Sequence, residues 1–498
     1  MTLPLSQLQE LIGDLSNSQS QESDLLLMQL DAVGAHRLRL CAIPHTFDVE
    51  VLCALDPLLA AEDAERTLGE FQQLPAVMQL ADCFALHDVV RQQLFAQWLT
   101  PGRREEFVAA SQRLVDLYSR RPDESATSAL TRQSSRLFHL LGADLGRGFE
   151  EFQGIYQVRR DQGRFGDCQA LLRLLSEYGP VLGSHQRAWL AYYQAEIADD
   201  NRNWPQAVEL IDTLLKQGIP DELRPRALLR LASVLRRLGR FEQARARSTE
   251  ALERGAAPHL VHLELGLIAR DDKDMDRARE ELERAVELAK ASSNRRDIVF
   301  ALNSLGTLLL QVAPRDAAKL FHECLALLDR EKDTLRIANV LNNLGMANAN
   351  FQEWQASETY YGQSLEIKRA SRDIYGEAST LLNVARVYRA ELKWDQAQNA
   401  LETSAKLFGD AHDPARVGQV FRELARLMNV CGRTAEAEAY ARRAIESLQR
   451  AGNETDVQAV RLEFDIAETA KPKRRWLIWS AAILGLLVVL AIAIIALH

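Results

Sequence analysis

The hydrophobic and small positions in the middle of the chain recur with a step far longer than one helical turn. The segments "LNNLGMANANFQEWQASETYYGQSLEI" (341–367) and "LLNVARVYRAELKWDQAQNALETSAKLF" (381–408) each carry a small residue, then an aromatic, then two more small residues. Gly345, Trp354, Ser357 and Ser364 align with Ala385, Trp394, Ala397 and Ser404 at an offset of 40 residues, and Ala425, Ala437 and Ala444 continue the step. Upstream, Gly306 leads Ala317, Gly266 leads Ala278 and Ala285, and Ala232 leads Phe241, Ala244 and Ala251. Weaker copies surround Trp204 with Ala207, and Phe165 with Cys168. Small residues at fixed positions let two antiparallel helices approach closely, and the aromatic between them plugs the next unit. One such pair cannot bury its own apolar face, so the units must stack.

This pattern resembles the tetratricopeptide repeat (TPR) family, in its longer-period form. The resemblance covers roughly 150–450, about eight units, and residues 454–469 are expected as a polar capping helix. It implies a helical solenoid that binds protein or peptide partners along the concave face of its first helices. Candidate partner-binding residues on that face are Asn303, Asn339, Asn342, Asn350, Arg386, Arg389, Arg422 and Arg426. Asparagine can hydrogen-bond an extended peptide backbone and arginine can grip a carboxylate, so the expected ligand is an acidic or C-terminal peptide segment.

Residues 25–100 have another rhythm. A helix ending near Arg39, a helix from about Asp48 and the "AAEDAERTLGEFQQL" helix precede two short strands around Asp82, with a further helix from Asp88. Three helices with a two-stranded wing predict a small winged-helix-like domain. Its segment order, with Leu86-His87-Asp88 entering "VVRQQL", resembles the winged-helix part of the STAND/NB-ARC signalling ATPases. That resemblance implies His87 as a sensor of nucleotide phosphate and Asp88 as the cap of the next helix. The family's phosphate-binding loop is missing, because no glycine here is followed directly by lysine. His87 would therefore meet only a phosphate held by another chain.

The C-terminal stretch "KPKRRWLIWSAAILGLLVVLAIAIIALH" is uncharged from Trp476 to Leu497. At ~1.5 Å per residue it reaches roughly 33 Å, a bilayer's span. Lys471, Lys473, Arg474 and Arg475 precede it, so the positive-inside rule predicts a cytoplasmic bulk and a single-pass tail anchor, with a bacterial inner membrane favoured. The expected fold is all-α: a TPR solenoid preceded by a winged-helix-like domain and ended by one transmembrane helix. The expected divisions are 1–24 (helical lead), 25–120 (winged-helix-like), 121–149 (connector), 150–452 (repeats), 453–470 (cap and linker), 471–475 (basic flank) and 476–497 (anchor). The start "MTLPLSQLQELIGDL" has no basic region or long apolar core, so no signal peptide is expected.

Charge and composition narrow the function. Net charge is -9, and residues 36–100 hold four Arg and no Lys against nine Asp and Glu, a surface that repels nucleic acid. The cysteines (Cys41, Cys53, Cys83, Cys168, Cys324, Cys431) are far apart, without a metal or disulfide spacing. His259 and His262 lie three apart on one helical face but lack a third ligand. No catalytic motif stands out, so neither an enzyme nor a cofactor is expected. The favoured function is a membrane-tethered TPR adaptor or scaffold at the cytoplasmic face. The alternative is a STAND-like regulator working with a separate P-loop ATPase, and the third is a membrane-bound transcriptional regulator, which the acidic balance disfavours.

Overall fold

A computed structural model describes residues 21–121, 126–330 and 332–466. The chain divides into two compact units, 1–304 and 305–498.

The first unit opens with α1 (Gln21–Leu27), α2 (Ala32–Leu40), α3 (Val49–Leu55) and α4 (Ala61–Phe71), then β1 (Val77–Leu80), β2 (Cys83–Leu86) and α5 (Asp88–Trp98). Two of these helices start on aspartates: Asp31 accepts from the Gly34 N–H at 2.7 Å, and Asp48 from the Val51 N–H at 2.8 Å. Each cap satisfies a backbone donor that the first turn leaves open. The strands pair antiparallel with Leu80 opposite Cys83, so the hairpin turns through Ala81 and Asp82. Phe47 adds a bridge to Phe84. Leu38, Ile43, Phe47, Leu52, Leu94 and Trp98 are all buried in one core.

After α6 (Arg104–Arg120) and α7 (Ala126–Ala143), the helices come in pairs. In the first unit these are α8 (Leu145–Asp161) with α9 (Phe165–Glu177), α10 (Ser184–Asp200) with α11 (Trp204–Lys216), α12 (Arg224–Arg237) with α13 (Phe241–Glu253), and α14 (Pro258–Asp271) with α15 (Met275–Ser292). The division between the units falls inside α16 (Arg295–Leu309). The second unit holds α17 (Pro314–Leu327), then α18 (Thr334–Asn350) with α19 (Trp354–Ala370), α20 (Ile374–Ala390) with α21 (Trp394–Asp410), and α22 (Pro414–Val430) with α23 (Thr434–Arg450). The short α24 (Glu454–Glu463) follows.

The repeated small residues do what their spacing predicts. A Cβ on Gly345 would lie 2.6 Å from the Tyr361 ring, so only glycine lets α18 and α19 meet there. Serine is the small residue of choice where it can also tie the pair. Ser357 donates to Gly345 O at 2.8 Å, Ser364 to Ala338 O at 2.7 Å and Ser404 to Ala378 O at 2.7 Å. Each buried bond contributes about 1 kcal/mol. The turns repeat at the same step: Gln352, Leu392 and Gly432 all have positive φ, at 63°, 61° and 74°.

One expectation is corrected here. Among the described residues no helix is long and apolar enough to cross a membrane. The transmembrane helix at 476–497, and the single-pass membrane localisation drawn from it, are not supported by the fold; that segment lies outside the described residues. The supported architecture is a helical repeat array with a two-stranded hairpin near its start.

Candidate protein-interaction face

The first helix of each pair presents its polar stripe on one face, and the two units furnish that face differently. In the first unit it is an ion-pair network linking α8, α10, α12 and α14. Arg160 donates to Asp200 at 2.6 Å, Arg237 to Asp199 at 2.7 Å and Arg236 to Glu264 at 2.8 Å. Arg230 holds both Glu196 and Asp199, and Arg236 also holds Asp271. Asp199 is only 1% exposed. Burial alone would lower the Arg230 guanidinium, but Tyr192, Glu196 and Asp199 outweigh it and hold it well above its ordinary value. Burial raises the Glu264 carboxyl against the pull of Arg236. Each of these four arginines has an acid on a neighbouring first helix.

In the second unit the same face is built of amides and arginines. Asn383 on α20 donates to the Asn342 side chain on α18 at 3.2 Å. Arg386, one turn further along α20, is exposed, and among the described residues it makes no ion pair or hydrogen bond. With Arg389, Glu423 and Leu427 it lines a crevice of about 10 Å³, room for a single water. Arg389 donates to Glu423 at 3.2 Å. Arg426 donates to Glu423 at 2.7 Å and also grips Glu463 of α24, which accepts from Arg422 at 2.6 Å.

The eight candidate residues therefore separate. Arg386 presents an open group and Asn339 is exposed; Asn342 is half-buried, donating to Asn343 and accepting from Asn383, and Arg389, Arg422 and Arg426 are neutralised from within. Asn350 is spent on architecture, donating to Leu310 O at 2.6 Å. Asn303 lies half-buried on α16 in the first unit. Sequence reasoning missed Asn383, Glu423 and Glu463. The 40-residue step runs through them, since Asn343, Asn383, Glu423 and Glu463 are equivalent positions.

His87 and Asp88 are both exposed. His87, not Asp88, holds the cap position of α5 and makes no side-chain capping bond, while Asp88 is the first helical residue. There its charge favours the helix N-terminus. The structural residue of this stretch is Arg91, which is buried. Its guanidinium donates to Pro44 O at 3.0 Å and to Glu177 of α9 at 2.8 Å, and packs on the Phe95 and Phe138 rings. His45 donates to the other oxygen of Glu177 at 2.8 Å. Burial would raise the Glu177 carboxyl, but His45 and Arg91 hold it below its ordinary value. This joint ties the N-terminal helices to the first repeat pairs.

His259 pairs with Asp297 at 2.9 Å and His262 with Glu281 at 2.7 Å, so the two histidines serve separate carboxylates. Among the described residues no cluster of three or more His, Cys, Asp or Glu could hold a metal ion.

Models of the tetratricopeptide repeat match residues 192–247, 229–294 and 336–410. No curated protein matches the chain. Among solved structures it is similar to a STAND protein with a tetratricopeptide repeat sensor from Pyrococcus horikoshii, at 12% identity and TM-score 0.48, covering 93% of this chain and 68% of that one. It is also similar to apo RapI (14% identity, TM-score 0.43, 53% of this chain and 99% of that one). A third is the apo quorum sensor NprR from B. thuringiensis (14% identity, TM-score 0.39, 61% and 99%). The helices of 192–294 and 336–410 are tetratricopeptide repeats.

Proposed function

We propose that the chain is a non-enzymatic adaptor that holds a protein partner by an extended, acidic segment along the first-helix face of 305–466. The Asn342 and Asn383 amides meet the segment's backbone, and Arg386 meets one of its carboxylates. The observation that carries this reading is Arg386: an exposed guanidinium without an acid, beside a pair of amides, on a face where Arg389, Arg422 and Arg426 are already paired. A photo-crosslinking residue placed at exposed Asn339 on α18 should capture partner, and one at exposed Asn399 on the second helix α21 should not. Equal capture at both sites, or none at Asn339, would contradict the reading.

The N-terminal helices and hairpin, read as a winged-helix-like module with an acidic balance, serve as a second docking surface. A STAND-like regulator is the second reading, favoured by the exposed His87, whose side chain makes no hydrogen bond among the described residues. It expects a separate P-loop ATPase to co-purify with the chain and to be lost from His87→Ala while the fold persists. Retention of such an ATPase by His87→Ala would sink it.

A further inference from the structure

The repeat register exposes an offset in how arginines are neutralised in the second unit. Arg386 and Arg426 occupy equivalent positions 40 residues apart, as do Glu423 and Glu463. Glu463 serves Arg426 and Arg422. The equivalent acid for Arg386 is Glu423, but Glu423 is taken by Arg389 and Arg426. The ladder is thus one carboxylate short, and the shortfall appears at Arg386. At the other end, the fork formed by Arg422 and Arg426 is filled by the last residue of α24, a helix of 10 residues anchored by buried Val457 and Val460. The Glu463 side chain remains 27% exposed, so solvent and solutes reach it. Burial would raise its carboxyl, but Arg426 and Arg422 hold it below its ordinary value, so it stays ionised at neutral pH.

We propose that the Arg422–Arg426 fork is an acid-binding position that Glu463 fills from within, and that a partner's Glu or Asp side chain enters by exchanging with Glu463. This rests on the first-helix face of 305–466 being the partner site. The exchange replaces one carboxylate by another, so its electrostatic cost is small. Glu463 competes only because it is tethered and thus present at high effective concentration. An incoming acidic segment anchors on Arg386, supplies the missing carboxylate, and displaces the last turn of α24.

The test is fluorescence anisotropy of a labelled hexaglutamate peptide with the full chain at low salt. Glu463→Gln should tighten binding about tenfold by removing the tethered competitor. Adding Arg422→Ala and Arg426→Ala to that variant should abolish the gain. Equal affinity of wild type and Glu463→Gln, or a gain that survives loss of both arginines, overturns the proposal. Hydrogen exchange guards against a loosened α24. In wild type the peptide should speed exchange of the 454–463 amides at least threefold, and an unchanged rate likewise overturns exchange. If Arg386→Glu abolishes peptide binding while Glu463→Gln leaves it unchanged, the exchange falls and the face stands. If neither changes it, the face itself falls.

Discussion

The two first-helix faces differ in where their charges find partners. In 1–304, Arg160, Arg230, Arg236 and Arg237 each meet an acid on a neighbouring helix, while exposed Arg226 stacks on Trp189. In 305–466, the pairing fails at Arg386, and amides stand at Asn343 and Asn383 where the same register has Glu423 and Glu463. On the proposed reading, the same repeat serves as a spine in the first unit and as a docking surface in the second. The choice lies in a few polar positions, while the small-residue and aromatic frame stays constant. A buried ion pair is weak evidence for stability by itself, since desolvation offsets most of the attraction. Its clearer consequence is that both partners become unavailable to anything else.

The largest expected effect comes from breaking the complete face. Asp199→Ala removes a carboxylate shared by Arg230 and Arg237 and should cost about 3 kcal/mol in urea unfolding, at the low end for a buried pair because Arg237 reaches solvent. Glu423→Ala in the second unit should cost about 1 kcal/mol or less, because Arg389 and Arg426 are both partly exposed and Arg426 keeps Glu463. Similar costs for the two variants would erase the contrast.

A pH measurement sharpens it. Lys368 on α19 is buried and bonds only neutral acceptors, Gly376 O and the Thr380 hydroxyl. Burial pulls its ammonium down to about 8, with Asp373 opposing. The folded state therefore sheds this proton before the unfolded state does, and the cost of burying the charge is relieved as pH rises from about 8 towards the ordinary lysine value. Relative to Lys368→Met, the wild type should gain about 2 kcal/mol between pH 8 and pH 10. A flat difference across that range would show that Lys368 is not desolvated as the packing implies.

Much of the frame is legible in the sequence. Gly345, Ser357, Ser364 and Ser404 recur because helix–helix contact distance is a local constraint, and that constraint is written directly into residue size. The turn at Ala81–Asp82 was legible from short apolar runs on either side of a polar residue. The site was only partly so. Arg389 meets Glu423 across 34 residues, and Arg422 meets Glu463 across 41. Such pairs become visible only when one helix is laid on the next, so all four arginines read as unpaired when, among the described residues, only Arg386 is. Arg91 was overlooked for a related reason: a lone arginine in a helix reads as surface, yet here its stem packs on two rings and its head closes a joint with Glu177. The apolar run at 476–497 remains a feature of the sequence, and no membrane span is found among the described residues.

The proposed site places the partner on the first-helix face of 305–466 and not on that of 1–304. The direct test is affinity purification of the full chain carrying Arg386→Ala beside the full chain carrying Arg237→Ala, with partner recovery quantified by mass spectrometry. Arg386→Ala should reduce recovery at least tenfold, and Arg237→Ala should leave it within twofold of wild type. Loss of partner with Arg237→Ala and its retention with Arg386→Ala would contradict the account.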